Sequence, residues 1–111
     1  MSYQNVIPAQ LALTPLTTTI ATLYTVPTNT RTFVKDINIC NTTGSAVSVS
    51  VYFVPSGSSY GTANAFLLSY SIAANTTYHW TGSQILLSSQ TIQGLASATG
   101  CTIIIGGGEA S

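Results

Sequence analysis

The chain has 111 residues, two basic and two acidic side chains, and a formal net charge of zero. Charged residues are 4% of the sequence, against roughly 25% in an ordinary soluble domain. Eighteen Thr and 14 Ser supply the polar surface instead. The length fits one domain.

This balance excludes several function classes. Arg31 and Lys35 are the only cations apart from His79. A basic patch for a nucleic-acid backbone cannot be built from them, so no nucleic-acid partner is expected. Asp36 and Glu109 are the only carboxylates, too few for a calcium cage and too far apart in sequence to suggest a glycosidase pair. A single histidine cannot supply a multi-His metal site. No cofactor is expected. No apolar run approaches the ~18–20 residues of a membrane helix, so no membrane partner is expected either. The start, MSYQNVIPAQ, lacks the basic segment and apolar core of a signal peptide. Synthesis in the cytosol is therefore expected. A neutral surface favours association, which suits a protein packed against copies of itself or a partner.

In chain order, residues 1–19 read as an arm or an edge strand. Pro8 and Pro15 interrupt the segment, and proline removes a donor from a strand ladder. The apolar and aromatic residues of this segment, Tyr3, Val6, Ile7, Leu11 and Leu13, are the candidate binding element. Exposed, they would cost ~25 cal/mol per Å² of apolar surface. The arm is expected to be separable from the rest of the domain. It could add a strand to a partner or to a neighbouring copy.

Strands are predicted next over 20–26, ending at Pro27, and over 31–40, with Ile37 and Ile39 on one face. Asn41-Thr42-Thr43-Gly44-Ser45 is a turn. The clearest strand is 46–54. Val47, Val49, Val51 and Phe53 alternate with Ala46, Ser48, Ser50 and Tyr52, so the first set belongs to a core and the second to a polar face. Residues 55–62 form the longest loop, anchored only by Tyr60. Residues 65–72 form a strand with Phe66, Leu68, Tyr70 and Ile72 inward. Two short strands follow, 76–80 with Tyr78 and Trp80 on one face, and 84–87. The strand over 91–98 carries Ile92, Gly94, Ala96 and Ala98 on one face, and its small side chains leave room that Trp80 could fill. The last strand covers 102–105. Gly106-Gly107-Gly108 and the polar end read as a loose tail over 106–111.

About eight strands in one domain point to an all-β antiparallel β-sandwich, jelly-roll or Ig-like, with an N-terminal arm. A closed barrel is the alternative. The sandwich is placed at 20–105.

The chemical candidates are sparse. Cys40 and Cys101 could form a disulfide, but the absence of an export signal favours free thiols. His79 alternates with Tyr78 and Trp80 and so faces outward. No Gly-x-Ser-x-Gly elbow accompanies it, and no catalytic set is predicted. Gly106–Gly108 is not a phosphate-binding loop, because no Lys-Ser/Thr follows and no helix opens after it. The acceptor patterns at Asn41 and Asn75 read as turn chemistry. Tyr60 in the loop and Tyr52 on a polar face could stack a sugar, whereas Tyr70, Tyr78 and Trp80 read as inward.

One family resemblance rests on particular segments. They are Leu23-Tyr24-Thr25-Val26-Pro27, the run Val34-Lys35-Asp36-Ile37-Asn38-Ile39-Cys40-Asn41-Thr42-Thr43-Gly44, Val51-Tyr52-Phe53-Val54-Pro55-Ser56-Gly57, Ala63-Asn64-Ala65, Gln90-Thr91-Ile92 and the Ile/Gly ending. From Leu23 to Ile105 the chain resembles the small all-β virion proteins of tailed bacteriophages, of the capsid cement, decoration or head-fibre type. The resemblance implies a structural, non-enzymatic protein on the capsid exterior, made in the host cytoplasm. It implies the major capsid protein as partner and self-association, with a homotrimer suggested by the family and by capsid symmetry. Similar domains occur in tail and fibre proteins, so a module binding a host receptor or glycan is the alternative. Tyr60 is the interface candidate that reading adds.

Overall fold

A computed structural model describes residues 6–110 of the chain. Of the predicted interface set, Tyr3 and the side chain of Val6 lie outside the described residues. Eight strands and one short 3₁₀ turn follow in order: β1 (Val6–Pro15), β2 (Ala21–Thr25), β3 (Arg31–Asn41), β4 (Val47–Val54), the turn Thr62–Asn64, β5 (Ala65–Ile72), β6 (Thr77–Leu86), β7 (Thr91–Ala96) and β8 (Cys101–Ala110).

They form two four-stranded antiparallel sheets, ordered β1-β8-β3-β6 and β2-β7-β4-β5. Every connection except β4 to β5 passes from one sheet to the other. This is the jelly-roll arrangement, which settles the jelly-roll, Ig-like or barrel choice left open by the sequence. The chain is elongated, 50 × 26 × 18 Å.

The core follows from strand alternation. On β3, Thr32, Val34, Ile37, Ile39 and Asn41 are buried while their neighbours are not. The frame shifts once, at Lys35, where the register with both β6 and β8 slips between Val34 and Asp36. A one-residue bulge exchanges the two faces, so Val34 and Ile37 both point inward. Opposite them, Val47, Val49 and Val51 of β4 and Ile92 of β7 fill the inner face of the second sheet. Ile103 and Ile105 of β8 complete the layer.

β1 lies at the edge of its sheet but is built into the sandwich. It pairs with β8 from Val6–Ala110 to Pro15–Thr102, and a bulge between Gln10 and Ala12 turns Leu11 inward. Leu11, Ala12 and Leu16 all belong to the core cluster. The expectation of a separable arm is corrected accordingly. Removing residues 1–19 would uncover Ile103 and Ile105 and strip three core side chains.

The C-terminal segment also differs from expectation. Gly106, Gly107 and Gly108 continue β8, paired to β1 on one side and β3 on the other, and the strand ends at Ala110. Glycine is required there by close packing: a Cβ on Gly107 would lie 1.8 Å from the Phe33 carbonyl oxygen. A run without side chains carries no alternation, so its sequence resembles a loop.

Three further expectations are corrected. The segments 76–80 and 84–87 are one strand, β6. Leu68 is exposed rather than inward, because the β4–β5 register breaks between Val49 and Val51 and Ser69 adopts a positive φ of 51°; Tyr70, opposite buried Val49, shares the inward face with Ile72 but stands half exposed at the sheet edge. The space over Gly94 is filled by Leu16 and Leu23, whose methyl carbons would stand 3.4 and 3.1 Å from a Cβ placed there. Trp80 instead lies over Gly82 and meets Phe66 edge-on.

Candidate interaction surfaces

Buried side-chain nitrogen and oxygen atoms among the described residues all find partners. Asn41, fully buried, ties three segments together. Its Nδ2 donates to the carbonyls of Ser45, Ile72 and Ala73 at 2.8, 3.0 and 3.3 Å. Its Oδ1 accepts from the Thr43 backbone N–H and hydroxyl at 3.0 and 2.7 Å. The Asn41-Thr42-Thr43 triplet is thus turn chemistry, as its composition suggested.

At the other end of the sandwich, Tyr24 of β2 donates to the Glu109 carboxylate of β8 and shares a 2.8 Å hydrogen bond with the Thr32 hydroxyl of β3. The contact joins the two sheets. Burial, chiefly, and the neighbouring Glu109 push the Tyr24 phenol up to about 12. Glu109 is therefore a structural partner inside the fold.

The thiols are free. Asn41 pairs with Cys101 and Cys40 with Thr102, so the cysteines sit on successive rungs and point to opposite faces of their sheet. Burial raises the Cys101 thiol, with a smaller contribution from Cys40. His79 faces outward, where its Nδ1–H donates to Asn38 Oδ1. No group of three or more metal-ligating side chains occurs among the described residues.

What the surface does present is a set of exposed apolar side chains. On the outer face of the β1-β8-β3-β6 sheet, Leu13, Ile104, Asn38 and His79 form one rung across all four strands. Leu13 is 58% exposed and Ile104 37%. A third exposed residue, Ile85, lies directly opposite half-buried Phe33. Ile7 is also exposed, at the outset of β1. Of the predicted interface residues, Ile7, Leu13 and Tyr60 are therefore at the surface. Leu11 is not: the bulge buries it, and it is corrected to a core residue. Ile104 and Ile85 lie within the predicted strands 102–105 and 84–87, whose unbroken apolar runs give no alternation to separate an outer from an inner residue.

On the opposite sheet the expected Tyr52 face is covered. Tyr60 folds back so that its ring centre lies 5.1 Å from that of Tyr52, and Tyr52 is almost fully buried. The loop is held by Asn64, which accepts from the Gly61 backbone N–H and donates to the Ser59 carbonyl, each at 3.1 Å. Tyr60 and Tyr52 consequently form a packed pair, not an open two-ring platform.

The third feature is a groove along the seam where β5 and β6, edge strands of different sheets, come together. Its volume is about 420 Å³, and its lining includes Tyr70, Ser71, Thr76, Thr77, Tyr78 and His79. The Tyr70 and Tyr78 rings are 4.9 Å apart and tilted by 59°. Burial raises the Tyr78 phenol, with Tyr70 adding a smaller push. Deeper in the seam, Phe53, Phe66 and Trp80 continue the aromatic series with centroid spacings of 5.0 Å.

Comparison with known proteins adds the fold relationship. A chain in the structure of the Gx strain of infectious bursal disease virus is similar with a TM-score of 0.53 and 9% identity, over 96% of this chain and 32% of that one. A chain of the T13 viral particle of the same virus gives 0.51 and 8%, over 96% of this chain and 30% of its own. The protein thus spans about a third of the length of the viral chains it matches. No family model matches the sequence, and no curated protein does. The protein is an eight-stranded jelly-roll domain that shares its fold with part of a virus-particle chain.

Proposed function

We propose that the protein is a structural component of a virus particle, bound to the outside of the capsid of a tailed bacteriophage as a cement or decoration protein. The observation that carries this reading is the outer face of the β1-β8-β3-β6 sheet, which carries Leu13 beside Ile104 and Ile85 opposite Phe33. The jelly roll is a fold used by viral capsid domains, and the likeness to virus-particle chains supports the same direction.

The physical logic is that of crowded weak contacts. A neutral Thr/Ser surface avoids long-range repulsion between copies held close together. Each contact need be no larger than an ordinary ~1,600 Å² interface. Self-association, as a homotrimer at local three-fold positions, lets several such contacts act together, with gains of ~10²–10⁴ over one. The partner in this reading is the major capsid protein. The role is structural and non-enzymatic, and the location is the virion exterior.

Co-sedimentation tests the proposal. Purified protein added to capsids that lack it should bind saturably, and Leu13→Asp should abolish binding while leaving the fold intact. Absence of binding by the unaltered protein would overturn it. A second reading, a tail or fibre module for a host receptor or glycan, is favoured by one observation, the tyrosine-lined groove at the β5–β6 seam.

A further inference from the structure

We propose that the groove between β5 and β6 binds a short neutral saccharide, with a sugar C–H face against Tyr70 and sugar hydroxyls on Ser71, Thr77 and His79. The inference specifies a site and ligand class for the second reading. It does not depend on where in a particle the chain resides.

Three observations converge. The first is the aromatic surface. Tyr70 is 45% exposed, an unusual position for a large ring on a strand, and it is braced by Tyr78 at 4.9 Å. A braced ring offers its π face without further loss of side-chain freedom on binding, and C–H groups carrying partial positive charge are attracted to that face. The second is the polar complement. Ser71, Thr76, Thr77 and His79 also line the groove. The Thr76 hydroxyl hydrogen goes to the Ala73 carbonyl at 2.7 Å, which leaves its oxygen as an acceptor. Mixed donors and acceptors beside an aromatic face match a sugar, which is apolar on its C–H faces and polar at its rim.

The third observation is charge. None of the lining residues is Asp, Glu, Lys or Arg. A phosphate, a sulfate or a sialic acid carboxylate would find no cation there, and a basic peptide no carboxylate. The groove volume of about 420 Å³ lies within the ~300–1,000 Å³ of ordinary ligand sites. An open groove of this kind supports affinities of about 1 mM, which many copies on one particle would raise.

The test is an NMR titration of the full chain with maltose, cellobiose, mannobiose and galactobiose. Sialyllactose is the charged comparison. At least one neutral disaccharide should shift the Tyr70 and Tyr78 ring signals, saturating below roughly 50 mM given millimolar affinity. Tyr70→Ala should weaken binding about tenfold or more, and Tyr70→Phe should retain it. Ser71→Arg, which fills the groove from an exposed position, should abolish binding with the thermal midpoint unchanged. Tyr60→Ala should leave binding as it was. Absence of shifts with all four neutral sugars, tighter binding of sialyllactose, or full binding by Ser71→Arg would each overturn the proposal. None of these outcomes bears on capsid co-sedimentation, so the two readings fail separately.

Discussion

Tyr24 and Glu109, 85 positions apart in the chain, meet through a hydrogen bond that ties β2 of one sheet to β8 of the other. Thr32, fully buried, shares the same phenol oxygen. Three strands and both layers are joined by one hydroxyl at this end of the sandwich.

The link has a pH signature. The Tyr24 phenol is raised from 10.0 to about 12 in the folded protein. A raised folded value means the stabilisation is complete below pH ~10 and is lost as pH climbs through about 12. Tyr78 and Cys101 are raised too and add to alkaline loss. We therefore expect the urea midpoint to fall over this window, and to fall less steeply in Tyr24→Phe. Identical slopes in the two proteins would show that the phenol is not held this way.

Asn41 should be among the least replaceable polar residues. Asn41→Ala removes the donor for three backbone carbonyls and the acceptor for Thr43. Buried groups left unpaired cost ~1–3 kcal/mol each, partly recovered by relaxation, so a loss of about 3 kcal/mol is expected. For a domain of this size that lowers the thermal midpoint by more than ~10 °C. Calorimetry checks it. A drop of a degree or two would mean that the turn holds without the side chain.

The triple glycine gives a contrast between two alanine substitutions. Gly107→Ala drives a Cβ into the Phe33 carbonyl oxygen, whereas a Cβ on Gly44 meets nothing within 4 Å. Gly107→Ala should destabilise by about 3 kcal/mol or more, or prevent folding, and Gly44→Ala should be nearly silent. Denaturation of the pair, side by side, decides whether residues 106–108 are strand or tail.

The surface rung should separate folding from association. Leu13 and Ile104 face each other on the outer sheet and are both exposed. Leu13→Asp should change folding stability by no more than ~0.5 kcal/mol and should remove self-association in analytical ultracentrifugation. If Leu13→Asp unfolded the domain, the residue would belong to the core in the manner of Leu11.

Much of this was legible in the sequence where alternation is uninterrupted. The Val47–Val49–Val51 face reads directly, as do the Ile37–Ile39 pair and the Asn41–Ser45 turn. The misread positions share a cause: each is a place where a strand departs from period two. Bulges at Gln10–Ala12 and around Ser69 turned Leu11 inward and Leu68 outward. Glycines at 106–108 left β8 without any pattern. The seam groove was invisible for a different reason, since it arises where edges of two sheets meet, and strand order is not written in local periodicity. Its residues were noticed, but Tyr70 and Tyr78 were assigned to the interior.

The most direct test of the virion role is quantitative mass spectrometry of purified particles from the producing system, with copies of this chain counted against copies of the major shell protein. The cement or decoration assignment predicts a ratio at a simple fraction of the shell, as symmetry-related positions require. A handful of copies per particle would contradict it and move the protein to a tail or fibre. Complete absence from the particle would contradict a virion role altogether.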